Sequence, residues 1–235
     1  MTLRGSKGRE GLKTKCSSEE RMLDWLDELV NQDVGWLFHH LDLFKKVFDL
    51  IDENKNLKSK DPTVLNWMHR AFLNDLVIGI GRICDEDKRS RSLTRFLYQL
   101  KKEKHLLTRT HYVSLYKILP IEKAHKDFDG LAGRGKDTYH PSLIDEDIKK
   151  LTKEEPCKKI LDFRNEYVAH INNRRNPPPP YGDLLASFKI IETVISKYYL
   201  LLRASSRLLT PVMQGDWQEV FTIPWINDGV LSKRG

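Results

Sequence analysis

Two long stretches of this sequence place apolar residues at steps of three and four. Leu37, Leu41, Phe44, Phe48 and Ile51 form one series; Leu184, Phe188, Ile191, Ile195, Tyr198 and Leu202 form another. An α-helix turns once every 3.6 residues, so each series falls on a single helical face, whereas a half-buried strand needs strict alternation. No alternating segment competes, and no internal repeat of about 20–50 residues is present. The chain therefore reads as an all-α helical bundle whose neighbours run mostly antiparallel.

Capping signals divide the chain. Ser17 and Glu20 have capping-box spacing and open a first helix whose apolar face is Trp25, Leu26, Leu29 and Val30. Asp61-Pro62 starts a helix reaching about Cys84, and Ser92 starts another with Leu93, Phe96, Leu97 and Leu100 turned inward. A helix over 110–126 is bent or ended by Pro120. Residues 129–142, with three glycines and Pro141, read as a loop. Helices follow over 142–153 and 155–171. Asn172 to Pro180 (NNRRNPPPP) is a hard stop in extended polyproline form, after which Asp183 caps the last long helix. Three parts result: a basic, flexible N-terminus over 1–16, a helical domain over 17–207, and an aromatic tail over 208–235 packed on the bundle.

The 235 residues are 40% hydrophobic and 31% charged, enough apolar surface for a core and too much for wholesale disorder. The longest apolar runs, such as Leu76–Ile80, are too short to cross a bilayer, and no apolar run follows the basic N-terminus as a secretory signal requires. Cys16, Cys84 and Cys157 are odd in number and widely spaced, which argues against a disulfide framework and a CxxC metal knuckle and fits a reducing, cytoplasmic setting. The net charge of +7 is concentrated. Residues 1–15 carry five cations against Glu10, and residues 86–110 carry eight against Glu86, Asp87 and Glu103. Such patches suit a polyanion such as RNA, or a solvated face.

Signatures of metal and nucleophile chemistry are missing: no HExxH, EF-hand loop, nucleophile elbow or zinc-type Cys/His spacing occurs. Neither a metal nor a cofactor is expected. GLAGRG lacks the preceding strand and the following Lys-Ser/Thr pair of a phosphate loop. His39 and His40 point to different helix faces, Cys84 and Cys157 read as small core residues, and His105, His111 and His125 read as surface groups.

The informative segment is KKILDFRNEYVAHINNRR, residues 158–175. On a helical wheel, Arg164 sits amid Ile160, Leu161, Val168, Tyr167 and Ile171, where the pattern calls for leucine; Phe163 and His170 lie at the stripe's edge. A guanidinium on an apolar face cannot shed its charge, so it needs a partner or a wet cleft. Either Arg164 forms an internal ion pair, with Asp75 a candidate partner, or it points into an anion site. Asp75 itself interrupts the series Leu65, Met68, Phe72, Asp75, Gly79, Arg82. It reads as part of an Asp–Arg network fixing helix register, or as a group that orients Arg164.

Arg164-Asn165-x-x-x-x-His170 resembles the ribonuclease motif of the HEPN superfamily. Arg134…His140 has similar spacing, but only the 164–170 match has Asn after Arg, lies late in an amphipathic helix and precedes a long C-terminal helix. The stretch from Asn66 (NWMHRAFLNDLVIGIGRICDEDKRSRSL), with its Arg82…Asp85 element and Ser-Leu helix start, and the tail DWQEVFTIPW are similar to the abortive-infection U-type branch. Asn172 stands where relatives often carry an acid. The resemblance implies a helical bundle, commonly a homodimer in which two motif helices meet across the two-fold axis. It also implies metal-independent RNA cleavage in defence or toxin–antitoxin settings, with an antitoxin or regulatory protein as a further partner. On this reading Arg164, Asn165 and His170 are catalytic, Asp75, Arg82 and Asp85 support them, and Arg174 and Arg175 engage flanking phosphates. A non-catalytic RNA- or nucleotide-binding module and a purely structural interaction protein are the alternative classes.

Overall fold

The computed structural model describes residues 17–55, 61–117, 120–168, 178–209 and 215–223. Nine α-helices are present among them, and no strand beyond an isolated bridge between Thr108 and Thr138. The all-α expectation holds. None of the described helices is long and apolar enough to cross a membrane.

The first two helices form one continuous rod. α1 (Ser18–Glu28) opens on the Ser17 capping box, with Ser17 accepting from Glu20 N and Glu20 accepting from Ser17 N. It passes through a π-helical stretch, Leu29–Val34, into α2 (Gly35–Glu53), and the junction residues Leu29 and Gly35 keep right-handed helical angles. Gly35 therefore does not break the helix. It lets the widened turn close, because a β-carbon there would fall 2.8 Å from the Val30 carbonyl oxygen. α3 (Thr63–Ile83) lies against α2. Asp61 stands one step further out than a cap, its Oδ1 accepting from Thr63 N at 2.8 Å.

Ser92 caps α4 (Leu93–Leu100), accepting from Arg95 N at 3.1 Å, and Leu93, Phe96, Leu97 and Leu100 are fully buried as expected. Two helices share the next stretch: α5 (Arg109–Ser114) and α6 (Ile121–Ala132), the second starting right after Pro120. α6 continues through Gly130, so the loop expected from 129 begins only at Gly133, whose φ of 96° suits glycine. α7 (Pro141–Thr152) is capped by His140, whose Nδ1 accepts from Ser142 N. That gives His140, the histidine of the second Arg…His pair, a structural duty. α8 (Cys157–Phe163) runs into a second π-helical stretch, Arg164–Val168.

α9 (Tyr181–Arg203) follows Pro180 directly. Asp183 is inside it rather than its cap, and faces Lys159 Nζ at 3.4 Å. The expected stripe from Leu184 to Leu202 is buried throughout. α9 packs on α8 and α7, α8 packs on α3, and one continuous hydrophobic core joins them. Within it, buried Asp147 accepts from Tyr198 Oη at 2.7 Å and is paired with Lys197, so the buried charge is matched. Cys84 and Cys157 are buried core residues as expected. His111 departs from its surface reading: its side chain is 13% exposed, and its Nε2 is buried without a hydrogen-bond partner.

Candidate functional site

Arg164 begins the π-helical stretch at the end of α8, where α8 crosses α3. The helical widening means that a wheel drawn at 100° per residue fails beyond Phe163, which is itself buried rather than at a stripe's edge. The side chain of Arg164 lies across Gly81 of α3. A β-carbon at Gly81 would fall 2.8 Å from Nη1 and 3.0 Å from Nε, and closer still to Cδ. The absence of a side chain at Gly81 is what makes room for the arginine stem.

The guanidinium is half-buried, and its Nε and Nη2 donate to Asn165 Oδ1 at 3.0 and 2.7 Å. Among the described residues no carboxylate is paired with Arg164. A neutral amide oxygen orients the fork without cancelling its positive charge. One turn along α3, the buried Cys84 thiol is held well above its usual range by contact with Cys157 and by burial, against the pull of the Arg164 charge.

Asp75 is not the partner of Arg164. Gly81 and Asp75 are six residues apart on α3, about 120° around the helix and 9 Å along it. Asp75 therefore faces α2 instead, and its Oδ2 meets His40 Nδ1 at 2.6 Å. Nor is the series from Leu65 to Arg82 a core seam. The buried face of α3 is Leu76, Val77, Ile80, Gly81 and Ile83, while Asp75 and Arg82 are exposed.

That exposed face and the first rod enclose a groove of about 480 Å³, lined by Gln32, Asp33, Trp36, Leu37, His40, Asp75, Ile78, Gly79, Arg82 and Ile83. Gly79 lets the helices close, since a β-carbon there would fall 2.5 Å from Leu37 Cδ1. Arg82 Nη2 reaches Asp33 Oδ1 at 3.2 Å, and Trp36 stands at the groove 60% exposed, in T-shaped contact with the His39 and His40 rings. Asp85 turns away to organise the following loop: its Oδ1 accepts from Asp87 N and its carbonyl oxygen accepts from Ser92 Oγ.

The sequence-predicted residues thus divide. Arg164 and Asn165 are joined at the α3–α8 crossing; Asp75 and Arg82 share a different groove; Asp85 shapes the turn between α3 and α4. His170, Arg174 and Arg175 lie outside the described residues. Sequence reasoning missed His40, Trp36 and Asp33. Trp36 and His40 are four residues apart, as are positions on one helix face, but nothing in that spacing says which face of α3 lies opposite. Among the described residues no group of His, Cys, Asp or Glu is arranged to hold a metal ion.

The family model HEPN_AbiU2, described as AbiU2, matches residues 20–220. This chain belongs to the AbiU2 family of HEPN proteins. The match runs from α1 to the short 3₁₀ turn at Trp217–Phe221, so the Arg164 seat and the α2–α3 groove are both parts of the AbiU2 domain. Comparison with curated proteins and with solved structures gave no match.

Proposed function

We propose that this AbiU2-family chain is a metal-independent endoribonuclease of defence or toxin type, acting in the cytoplasm as a homodimer whose composite site uses Arg164, Asn165 and His170. The observation that carries the reading is the seat of Arg164: a permanent cation at a helix crossing, aimed by a neutral amide, over a glycine that admits it. Metal-free cleavage uses the substrate's own 2′-hydroxyl. It attacks the adjacent phosphorus, a base takes its proton, the bond to the 5′-oxygen breaks, and an acid protonates that oxygen. Histidine suits both proton transfers, and a guanidinium suits the charge that builds on the phosphoryl oxygens. Two chains supply two copies of His170 and Arg164, enough for base, acid and clamp; Arg174 and Arg175 hold flanking phosphates.

The test is RNA cleavage in excess EDTA. Arg164→Ala and His170→Ala each abolish it, and the wild-type products end in 2′,3′-cyclic phosphates. Cleavage that survives both substitutions sinks the mechanism. Salt-sensitive RNA binding without any cleavage selects the non-catalytic binding module instead, a reading that Asn172 favours by standing where relatives often carry an acid.

A further inference from the structure

We infer that the α2–α3 groove is a nucleotide-binding subsite, in which Trp36 stacks a base while Arg82 and His40 take the attached sugar-phosphate. The ligand is a nucleotide unit with an unpaired base, either within single-stranded RNA or free.

Four features of the groove select that chemistry. Its volume of about 480 Å³ is in the range of small-ligand pockets. Trp36 meets the His39 and His40 rings in T-shaped contacts and is 60% exposed, so ring surface is open to a flat base. Arg82 is held at a single nitrogen by Asp33, 3.2 Å away, with side chains 72% and 36% exposed. Such a pair is weak, and an arriving phosphate can take the remaining donors of the fork. His40 is fixed from behind by Asp75 through Nδ1, and its Nε2 has no hydrogen bond among the described residues. In the neutral ring that nitrogen accepts from a ribose hydroxyl or an exocyclic amine; in the charged ring it donates to phosphate.

Each carboxylate is engaged at one atom, Asp75 with His40 Nδ1 and Asp33 with Arg82 Nη2, which leaves the other donors of the Arg82 fork for a phosphate. The apolar lining of Leu37, Ile78 and Ile83 suits the flat ring of a base rather than a bare phosphate. The groove lies on a face of α3 turned about 120° from Gly81, so this subsite is separate from the Arg164 seat and does not depend on cleavage there.

The test uses the full chain and two probes. One is a short, fluorescein-labelled single-stranded oligonucleotide with 2′-O-methyl sugars, which withholds the cleavage nucleophile, followed by anisotropy. The other is adenosine 5′-monophosphate, followed by calorimetry. Trp36→Ala is expected to weaken binding about tenfold, with Trp36→Phe restoring most of it. Arg82→Ala is expected to weaken it and lower the slope of log affinity against log salt by about one. Both side chains are exposed, so the fold is left intact. Strong oligonucleotide binding with poor competition by the mononucleotide identifies an RNA strand as the source; equal affinity identifies the free nucleotide. Failure of both probes to bind overturns the proposal. So does binding that Trp36→Ala and Arg82→Ala leave unchanged while Arg164→Ala removes it, a result that would keep the cleavage reading and discard this one.

Discussion

A single missing methyl group organises the Arg164 seat. In a helix interior, alanine is favoured over glycine by about 1 kcal/mol, so Gly81 is costly unless something occupies its space. The Arg164 stem occupies it. Restoring the methyl adds helix propensity but overpacks the crossing, which typically costs about 1–3 kcal/mol. Gly81→Ala is therefore expected to destabilise the wild type by about 0–2 kcal/mol, yet to stabilise an Arg164→Ala background by about 1 kcal/mol. Urea unfolding of the four proteins reads this coupling, and an identical effect in both backgrounds would show that the two residues do not compete for the space. His111 gives a second residue-scale expectation. Burial lowers its pKa, with the Glu19 carboxylate 4.0 Å away pulling upward and His105 pushing down. The unfolded chain then binds a proton more readily than the folded one, so this histidine's contribution is intact above its unfolded pKa and is lost as pH falls through and below about 6.5. A stability profile from pH 8 to about 5 should lose part of its slope in His111→Gln; an unchanged slope would rule the contribution out.

At the scale of elements, the two serine caps were legible, the caps expected at Asp61 and Asp183 fall instead on Pro62 and Pro180, and the helix interiors were less legible. Ser17 and Ser92 both start helices, because a hydroxyl accepting from an amide two or three residues on is a local bargain that needs no tertiary partner. They differ in surroundings. Ser17 is exposed, whereas Ser92 is 3% exposed and also donates to the Asp85 carbonyl. Ser17→Ala should cost about 1 kcal/mol, and Ser92→Ala about 2–3 kcal/mol because it also strands a carbonyl; thermal or urea denaturation giving equal losses would contradict that difference. The two π-helical stretches were not legible. A wheel assumes 100° per residue, and nothing in Leu29–Val34 or Arg164–Val168 announces a wider turn before the packing is known. The same gap explains Asp75: its series of three- and four-residue steps was real, but periodicity defines a face without saying whether that face meets core, groove or water. Arg164 stood out because a cation amid apolar neighbours is locally anomalous, whereas Asn165 entered only through the resemblance of the Arg-Asn…His motif. The His40–Asp75 pair was not legible, since it joins residues 35 apart through the approach of two helices.

For the whole molecule, the proposed chemistry makes a demand that the motif of one chain does not meet. Acid and base are both histidine roles, and the motif supplies one histidine per chain. If the cleft draws both from a symmetric pair of chains, activity depends on dimers rather than on chains. Co-expressed wild-type and His170→Ala chains, carrying different affinity tags and exchanged to equilibrium, form dimers in binomial proportion. A site needing both histidines then leaves about one quarter of the wild-type activity in an equal mixture, whereas two self-contained sites leave about one half. Cleavage measured across the mixing series should follow the square of the wild-type fraction. A linear series would mean that each chain completes its own site, and the second proton-transfer group would then have to be sought within the chain, beginning with His40, which Asp75 already orients.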